Sequence, residues 1–192
     1  MAPQGLSLAV MLHPEHTPAQ QEHMAALAGR LGFWAVHVPI APGASLPQER
    51  LERLVAAADP ALVVLDDGAD APGMVRGRHP QLVATERARL DAAGDGRPII
   101  VALPVSIGRT RNEAVARADR DPRFADADHP QVCGIFGTLE QGQEQVLELA
   151  RAGAGLLLVT VADDLDVADL LAQVRALVSG PVALWLGGSG RD

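Results

Sequence analysis

The chain has 192 residues, enough for one domain whose core forms without disulfides or metals. Its formal net charge is −8 and it has no run of basic residues, so nucleic acid is not an expected partner. All 16 basic residues are arginines, and the lack of lysine excludes Schiff-base chemistry, covalent pyridoxal phosphate chemistry and P-loop nucleotide hydrolysis.

Cysteine use and hydropathy predict the cellular setting. Cys133 is the only cysteine, so no intrachain disulfide forms, and a reducing cytoplasmic setting is expected. No stretch has the ~20 apolar residues that a bilayer crossing needs. The first residues lack the basic region of a signal peptide. We therefore expect a cytoplasmic protein without a membrane partner.

Short apolar runs alternate with helical patterns along the whole chain. The runs are rich in leucine and β-branched residues, which is typical of strands buried on both faces. The predicted strands are 6–12, 33–40, 61–65, 98–105, 131–136, 155–161 and 181–186. Two polar segments, 67–79 and 119–130, are predicted to be loops. The repeat predicts a single α/β domain over 1–192, a mainly parallel barrel of the TIM type that is incomplete or shortened.

Four segments match the capping box, in which a hydroxyl and a Gln or Glu three residues later satisfy the free N–H groups of a helix start. The matches are Thr17–Gln20, Ser45–Gln48, Thr110–Glu113 and Thr138–Gln141. Each follows an apolar run closely. The pattern predicts repeated strand-to-helix turns.

Three segments resemble the luciferase-like flavin-dependent monooxygenase family. They are 32–39 (GFWAVHVP), 98–118 (PIIVALPVSIGRTRNEAVARA) and 137–159, which begins GTLEQGQEQVLELARAG. The resemblance implies an eight-stranded (β/α) barrel that binds flavin mononucleotide (FMN) or a deazaflavin at the C-terminal ends of its strands. It implies an oxidoreductase or monooxygenase that acts on a small organic substrate.

The chain departs from that family pattern in three places. The segment between the second and the late strand is too short for the usual middle strands. Ile40 and Ala41 stand where the family often has an acid and a histidine. The family's glycine-rich phosphate segment normally precedes the late strand, whereas the only such string here is 187–190. These departures predict a shortened member.

Candidate catalytic groups are sought where parallel strands end, because ligands of such folds bind there. His13 follows the first strand, His37 lies near the end of the second, and Asp66 ends the third. Histidine is suited to acid–base chemistry because its pKa is near neutral. For Asp66 and its neighbour Asp67 we favour the alternative interpretation, a turn that uses aspartate for its backbone hydrogen bonds. No pair of histidines has the spacing of a zinc site, so no metal is predicted.

Candidate cofactor-binding residues are of three kinds. A glycine string after the last strand offers backbone N–H groups to a phosphate, although a flexible tail is the favoured interpretation because no helix is predicted to follow it. The turn after the fourth strand combines a hydroxyl and an arginine beside a helix start, and a threonine near the end of the sixth strand can bind a ligand ring. The predicted residues are Gly187, Gly188, Ser189, Gly190, Ser106, Arg109 and Thr160.

Three functions remain open. The leading hypothesis is a shortened flavoprotein that binds FMN or a deazaflavin. The second is a phosphate-binding barrel lyase or isomerase, in which Asp66 and His37 would form an acid–base pair facing one pocket. The third is a family member with a structural or accessory role. An incomplete barrel leaves an open sheet edge, so a homodimer is expected to cover it.

Overall fold

A computed structural model of the chain describes residues 6–66, 73–121, 124, 133–161 and 166–179. The strands are β1 (Ser7–Met11), β2 (Ala35–Pro39), β3 (Leu62–Asp66), β4 (Met74–Arg76), β5 (Ile99–Ile107), β6 (Ile135–Gly137) and β7 (Ala154–Val161). The helices are α1 (Pro18–Arg30), α2 (Gln48–Ala58), α3 (Pro80–Ala92), α4 (Arg111–Asp119), α5 (Leu139–Arg151) and α6 (Val167–Ala176). None of the helices in these ranges has the length and hydrophobicity that a membrane crossing demands.

The seven described strands form one parallel sheet, in which six have the order β3-β2-β1-β7-β5-β4 and β6 pairs with β5. Val105 of β5 is aligned with Val161 of β7 and also with Ile135 of β6. Strand β6 therefore lies on the edge of β5 that β4 also occupies. The expected α/β fold with a parallel sheet of about seven strands is confirmed.

The strand predictions differ from the structure at one element. Six of the seven predicted strands are present, and the seventh, 181–186, lies outside the described residues. The seventh observed strand is β4, which falls within the segment 67–79 predicted to be a loop. That prediction was wrong because β4 has only three residues, too few for any periodicity to be visible.

The two faces of the sheet are packed differently. Val10, Val36 and Val101 face outward and join the large core that the helices cover. The inward cluster contains only strand residues, among them Ala9 and Leu158, and draws on β1, β2, β3, β4, β5 and β7. A sheet face that packs against itself is curled, as in a barrel. Within the described residues no hydrogen-bonded ladder joins β3 to β4, and we call this interruption of the ladder the break in the barrel.

Helix α4 packs on the opposite face of the sheet from the other helices. In chain order, the other described strand-to-strand connections all advance in the same direction around the sheet. The connection from β5 to β6 runs in the opposite direction, because β6 lies on the side of β5 that β4 occupies. A right-handed crossover that runs in the opposite direction places its helix on the opposite face of the sheet. Ser106 accordingly donates to the Ala114 carbonyl over 2.9 Å, and Ala118 packs with Phe124 and Phe136 outside the main core. Helix α4 therefore covers the inner face where β5 and β6 end.

Three of the four predicted helix starts have the expected cap. Thr17 and Thr138 form complete capping boxes, and Thr110 accepts from a backbone N–H of α4. The prediction at Ser45 was wrong, because α2 has Pro47 at its N-cap and no side-chain cap. Each hydroxyl cap contributes about 1 kcal/mol to helix stability.

We predict that Gly29→Ala destabilises the fold. A methyl group at Gly29 would overlap the Ala58 carbonyl oxygen and lie 2.8 Å from that of Asp59, so α1 and α2 would have to separate. Overpacking of this kind costs about 1–3 kcal/mol. The measurement is the free energy of unfolding in urea. Gly96→Ala is the control, since a methyl group there meets nothing within 4 Å. Equal stability of the two variants would contradict the packing described.

Candidate functional site

A cavity of about 430 Å³ opens at the C-terminal ends of the strands, inside the curve of the sheet. Its floor is formed by Met74, Ala102 and Leu158, which face inward on β4, β5 and β7. The volume lies in the range of ligand pockets, roughly 300–1,000 Å³. The position is the one that parallel α/β folds use for ligands.

The cavity wall is apolar over most of its area. Met11 and Pro104 line it from β1 and β5, and Phe124 lines it from the segment after α4. Phe124 is fixed by an edge-on contact with Phe136, with ring centroids 6.2 Å apart. Thioethers and an aromatic ring form a polarisable lining that suits a flat aromatic ligand.

Four described residues bring polar groups to the wall. Thr160 and Cys133 contribute a hydroxyl and a thiol, and the charged residues are Asp66 and Arg76. Asp66 ends β3 and Arg76 ends β4, the two strands that flank the break in the barrel. A carboxylate and a guanidinium therefore line the same cavity from the two sides of the break.

His37 lies behind Asp66. His37 is aligned with Val64, two residues before Asp66, so both side chains are on the inward face. The His37 Nδ1 atom lies 3.4 Å from Asp66 Oδ2, and the two side chains are 8% and 15% exposed. Asp66 lines the cavity, whereas His37 is not among its lining residues. The structure thus brings together two of the three predicted catalytic residues.

Burial decides the charge of His37. Desolvation lowers the pKa of His37, and the hydrogen bond and charge of Asp66 oppose that shift. The imidazole is therefore neutral at pH 7, and a proton on Nδ1 is donated to the carboxylate. Leu12 N–H donates to the His37 carbonyl over 2.8 Å, and Ile40 N–H donates to the Asp66 carbonyl over 2.8 Å. These bonds fix the two strand ends that carry the pair.

The structure places His13 away from the cavity. His13 Nδ1 accepts from Glu15 N–H at 3.2 Å, and its carbonyl accepts from the Gln21 side chain at 2.8 Å. Its ring lies against His16, with centroids 5.2 Å apart. The residue organises the turn between β1 and α1, so the predicted catalytic role at the strand ends does not fit its position.

The predicted anion site after β5 does not fit the geometry either. Ser106 is fully buried beneath α4, where its hydroxyl bonds to a backbone carbonyl. Arg109 is exposed outside the cavity, and its backbone N–H donates to Glu113 Oε2 over 3.0 Å. The Glu113 carboxylate thus occupies the backbone N–H group that was expected to bind an anion. Thr160 does line the cavity, and the string 187–190 lies outside the described residues.

Sequence reasoning missed Arg76, Cys133 and Phe124 as site residues. Arg76 and Phe124 fall in the two segments predicted to be loops. Cys133 precedes β6, and its carbonyl accepts from Arg78 N–H over 2.8 Å, which joins it to the end of β4. No group of three metal-binding side chains occurs in the part of the chain that the structure describes.

No protein-family model and no curated protein matches the sequence. Among solved structures the chain is similar to apo-MsnO8, a luciferase-like monooxygenase, with 16% identity, a TM-score of 0.48, and coverage of 89% of this chain and 97% of that one. It is similar to (S)-3-O-geranylgeranylglyceryl phosphate synthase from Thermoplasma acidophilum, with 12% identity, a TM-score of 0.42, and coverage of 91% and 93%. Dihydropteroate synthase from Xanthomonas albilineans has 14% identity, a TM-score of 0.40, and coverage of 98% and 94%. These distant similarities to TIM-barrel proteins carry no inference about function.

We predict that His37 makes stability depend on pH. The unfolded chain protonates His37 near its ordinary pKa of 6.5, whereas the folded chain protonates it only at lower pH. The unfolded state therefore binds more protons below about 6.5, and the free energy of unfolding falls as the pH drops through that window.

Urea unfolding of the unmodified protein and of His37→Asn is measured across roughly pH 5 to 8, the range in which histidines change charge. The stability advantage of the unmodified protein should shrink as the pH falls. His23→Asn, at an exposed position on α1, is the control. An advantage that stays constant with pH, or grows as the pH falls, would show that His37 is not held neutral by burial.

Proposed function

We propose that the protein binds a flat, largely apolar small molecule in this cavity, and that the ligand is FMN or a deazaflavin. The observation that carries the proposal is the cavity itself, a ligand-sized space at the C-terminal strand ends with an apolar floor. The resemblance of three sequence segments to the luciferase-like family supports the choice of a flavin.

The described residues fit the ring system of a flavin. Met11, Met74 and Phe124 offer polarisable contacts to an aromatic face, and Asp66, Arg76 and Thr160 are suited to its polar edge. A phosphate would be bound by the glycine string 187–190, which lies outside the described residues.

A bound flavin supplies hydride transfer or oxygen activation. The protein's own contribution would be to bind the ring, to exclude water through α4 and Phe124, and to hold a hydrogen-bond acceptor at Asp66. An oxidoreductase or monooxygenase acting on a small organic substrate follows from the proposed ligand.

We predict that the purified protein binds FMN or a deazaflavin and that filling the cavity weakens binding. Ala102→Leu extends a side chain from the floor into the space the ring would occupy. Binding is measured by fluorescence quenching, with an absorbance scan for a co-purified cofactor. We expect at least a roughly tenfold loss of affinity, since overpacking costs about 1–3 kcal/mol.

Ala56→Leu, on the exposed face of α2, should bind like the unmodified protein. Thermal melting establishes that both variants fold. An absence of flavin binding by the unmodified protein would exclude the proposal, and unchanged binding by Ala102→Leu would move the site elsewhere.

The pairing of Asp66 with His37 favours a second candidate function. A carboxylate at a cavity wall, backed by a neutral histidine, can accept a proton from carbon next to a carbonyl group. A barrel lyase or isomerase acting on a small phosphorylated or oxo-acid substrate would use Asp66 in this way, with His37 positioning it.

We predict for this alternative that the protein exchanges deuterium from heavy water into a small carbonyl compound. Proton NMR of a panel of oxo acids and triose phosphates measures the exchange. Asp66→Asn should lower the rate by roughly 100-fold or more, the usual contribution of a general base. Asp91→Asn, an exposed carboxylate on α3, is the control. If no compound exchanges, or if Asp66→Asn exchanges at the normal rate, this alternative is wrong.

A further inference from the structure

We infer that the Thr160 hydroxyl donates a hydrogen bond to a neutral acceptor of the flat ligand, a ring nitrogen or a ring carbonyl oxygen. The cavity would thereby select heteroaromatic rings over hydrocarbon rings of the same shape. The inference rests on the proposed function, the binding of a flat molecule in this cavity, and adds the residue that determines specificity and the class of ligand atom it recognises.

Thr160 carries its side chain into the cavity from the middle of the sheet. It lies on β7 two residues after Leu158, so the two side chains share the inward face. Leu158 is aligned with Ala102 at the floor, and Thr160 is aligned with Pro104, which also lines the cavity. The hydroxyl is therefore one layer of side chains above the floor, in the wall that a ligand would touch.

The hydroxyl of Thr160 is available to a ligand. Within the described part of the chain no group forms a hydrogen bond with Thr160 Oγ1. The oxygen is also absent from the described polar atoms that are buried without a partner, so it is accessible. For an inward-facing residue that lines the cavity, the accessible space is the cavity itself.

The strand neighbours of Thr160 offer it no strong partner. Pro104, on β5, has no polar side-chain atom. On the other side Val10 is aligned with Val159, so Met11 is the residue of β1 that follows at the level of Thr160. A thioether is only a weak acceptor. The hydroxyl is thus set among Met11, Pro104 and Leu158, an apolar part of the wall.

This setting indicates which ligand atom fits. Valine has nearly the same shape as threonine, whereas a hydroxyl in apolar surroundings costs free energy unless it forms a hydrogen bond. An unused donor is less well tolerated than an unused lone pair, so the ligand should supply an acceptor. A charged acceptor would lose its hydration against this apolar wall, which favours a neutral ring nitrogen or carbonyl oxygen.

Acridine and anthracene test the inference with the full chain. They are three-ring molecules of the same shape, and they differ in one ring nitrogen that replaces a C–H group. Neither has a phosphate, so their binding does not depend on residues 187–190. Affinities are measured from the polarisation of ligand fluorescence in mildly alkaline buffer, where acridine is uncharged.

Thr160→Val supplies the decisive comparison, because it removes the hydroxyl and keeps the shape. We expect acridine to bind roughly three- to tenfold more weakly to this variant and anthracene to bind at least as tightly as before. Thr160→Ser, which keeps a hydroxyl, should retain most of the preference for acridine. Thr85→Val, at an exposed position on α3, should behave like the unmodified protein.

Thermal melting establishes that each variant folds. Thr160→Ala gives a second test, since the ratio of the two affinities largely cancels the loss of contact area that both ligands share. In this variant also, the ratio should shift towards anthracene.

The outcomes separate the inference from the proposed function. A ratio of acridine to anthracene affinity that is unchanged in Thr160→Val and Thr160→Ala overturns the inference, as does a failure of acridine to bind a protein that binds FMN. Either result leaves flavin binding intact. A Thr160-dependent preference for acridine without FMN binding supports the inference and excludes the flavin. An absence of binding by both acridine and FMN overturns both.

Discussion

The small side chains on the inward face of the sheet are the constraint on which the rest of the structure depends. Ala9 is aligned with Ala35 on one side and with Leu158 on the other, and Leu158 is aligned with Ala102. Three of these four aligned side chains are alanines, so the face can curl and pack against itself around Leu158. Because this layer fills only the lower part of the barrel, the next inward positions surround a cavity. The same packing that closes the core thus leaves space for a ligand at the strand ends.

The position of β6, beside β5 on the same side as β4, shapes the part of the cavity nearest the C-terminal strand ends. Since β6 occupies the edge that β4 also uses, β4 and β6 share one side of β5, and the helix between β5 and β6 lies over the inner face. This arrangement covers one side of the cavity with α4, while β3 is the last strand of the described ladder on the other side. Leu62 and Leu65 of β3 are 53% and 38% exposed, unusually high values for a strand with apolar residues at its first four positions. Exposed apolar strand edges favour pairing with another segment or chain.

The sequence predicts the repeating elements well and the site incompletely. Strands such as β1 and β7 and the caps at Thr17 and Thr138 follow from local patterns, because their residues are determined by neighbours in the chain. Asp66, His37 and Thr160 could be placed at strand ends for the same reason. Arg76 could not, because β4 is a strand only through its pairing with β5, a contact distant in sequence. Ser106 was misplaced because its burial depends on the direction of a crossover, which no local pattern records.

The lining of the cavity bears on which proposed chemistry is the better supported. Most of the described wall is apolar and includes the thioethers of Met11 and Met74 and the ring of Phe124, and Asp66 is held from behind by the His37 imidazole, whose Nδ1 lies 3.4 Å from Oδ2. Polarisable and aromatic side chains suit the face of a flat ring. A small phosphorylated or oxo-acid substrate is mostly polar and would leave much of that apolar wall without a matching partner. The described lining therefore favours the binding of a flat heterocycle over lyase or isomerase chemistry.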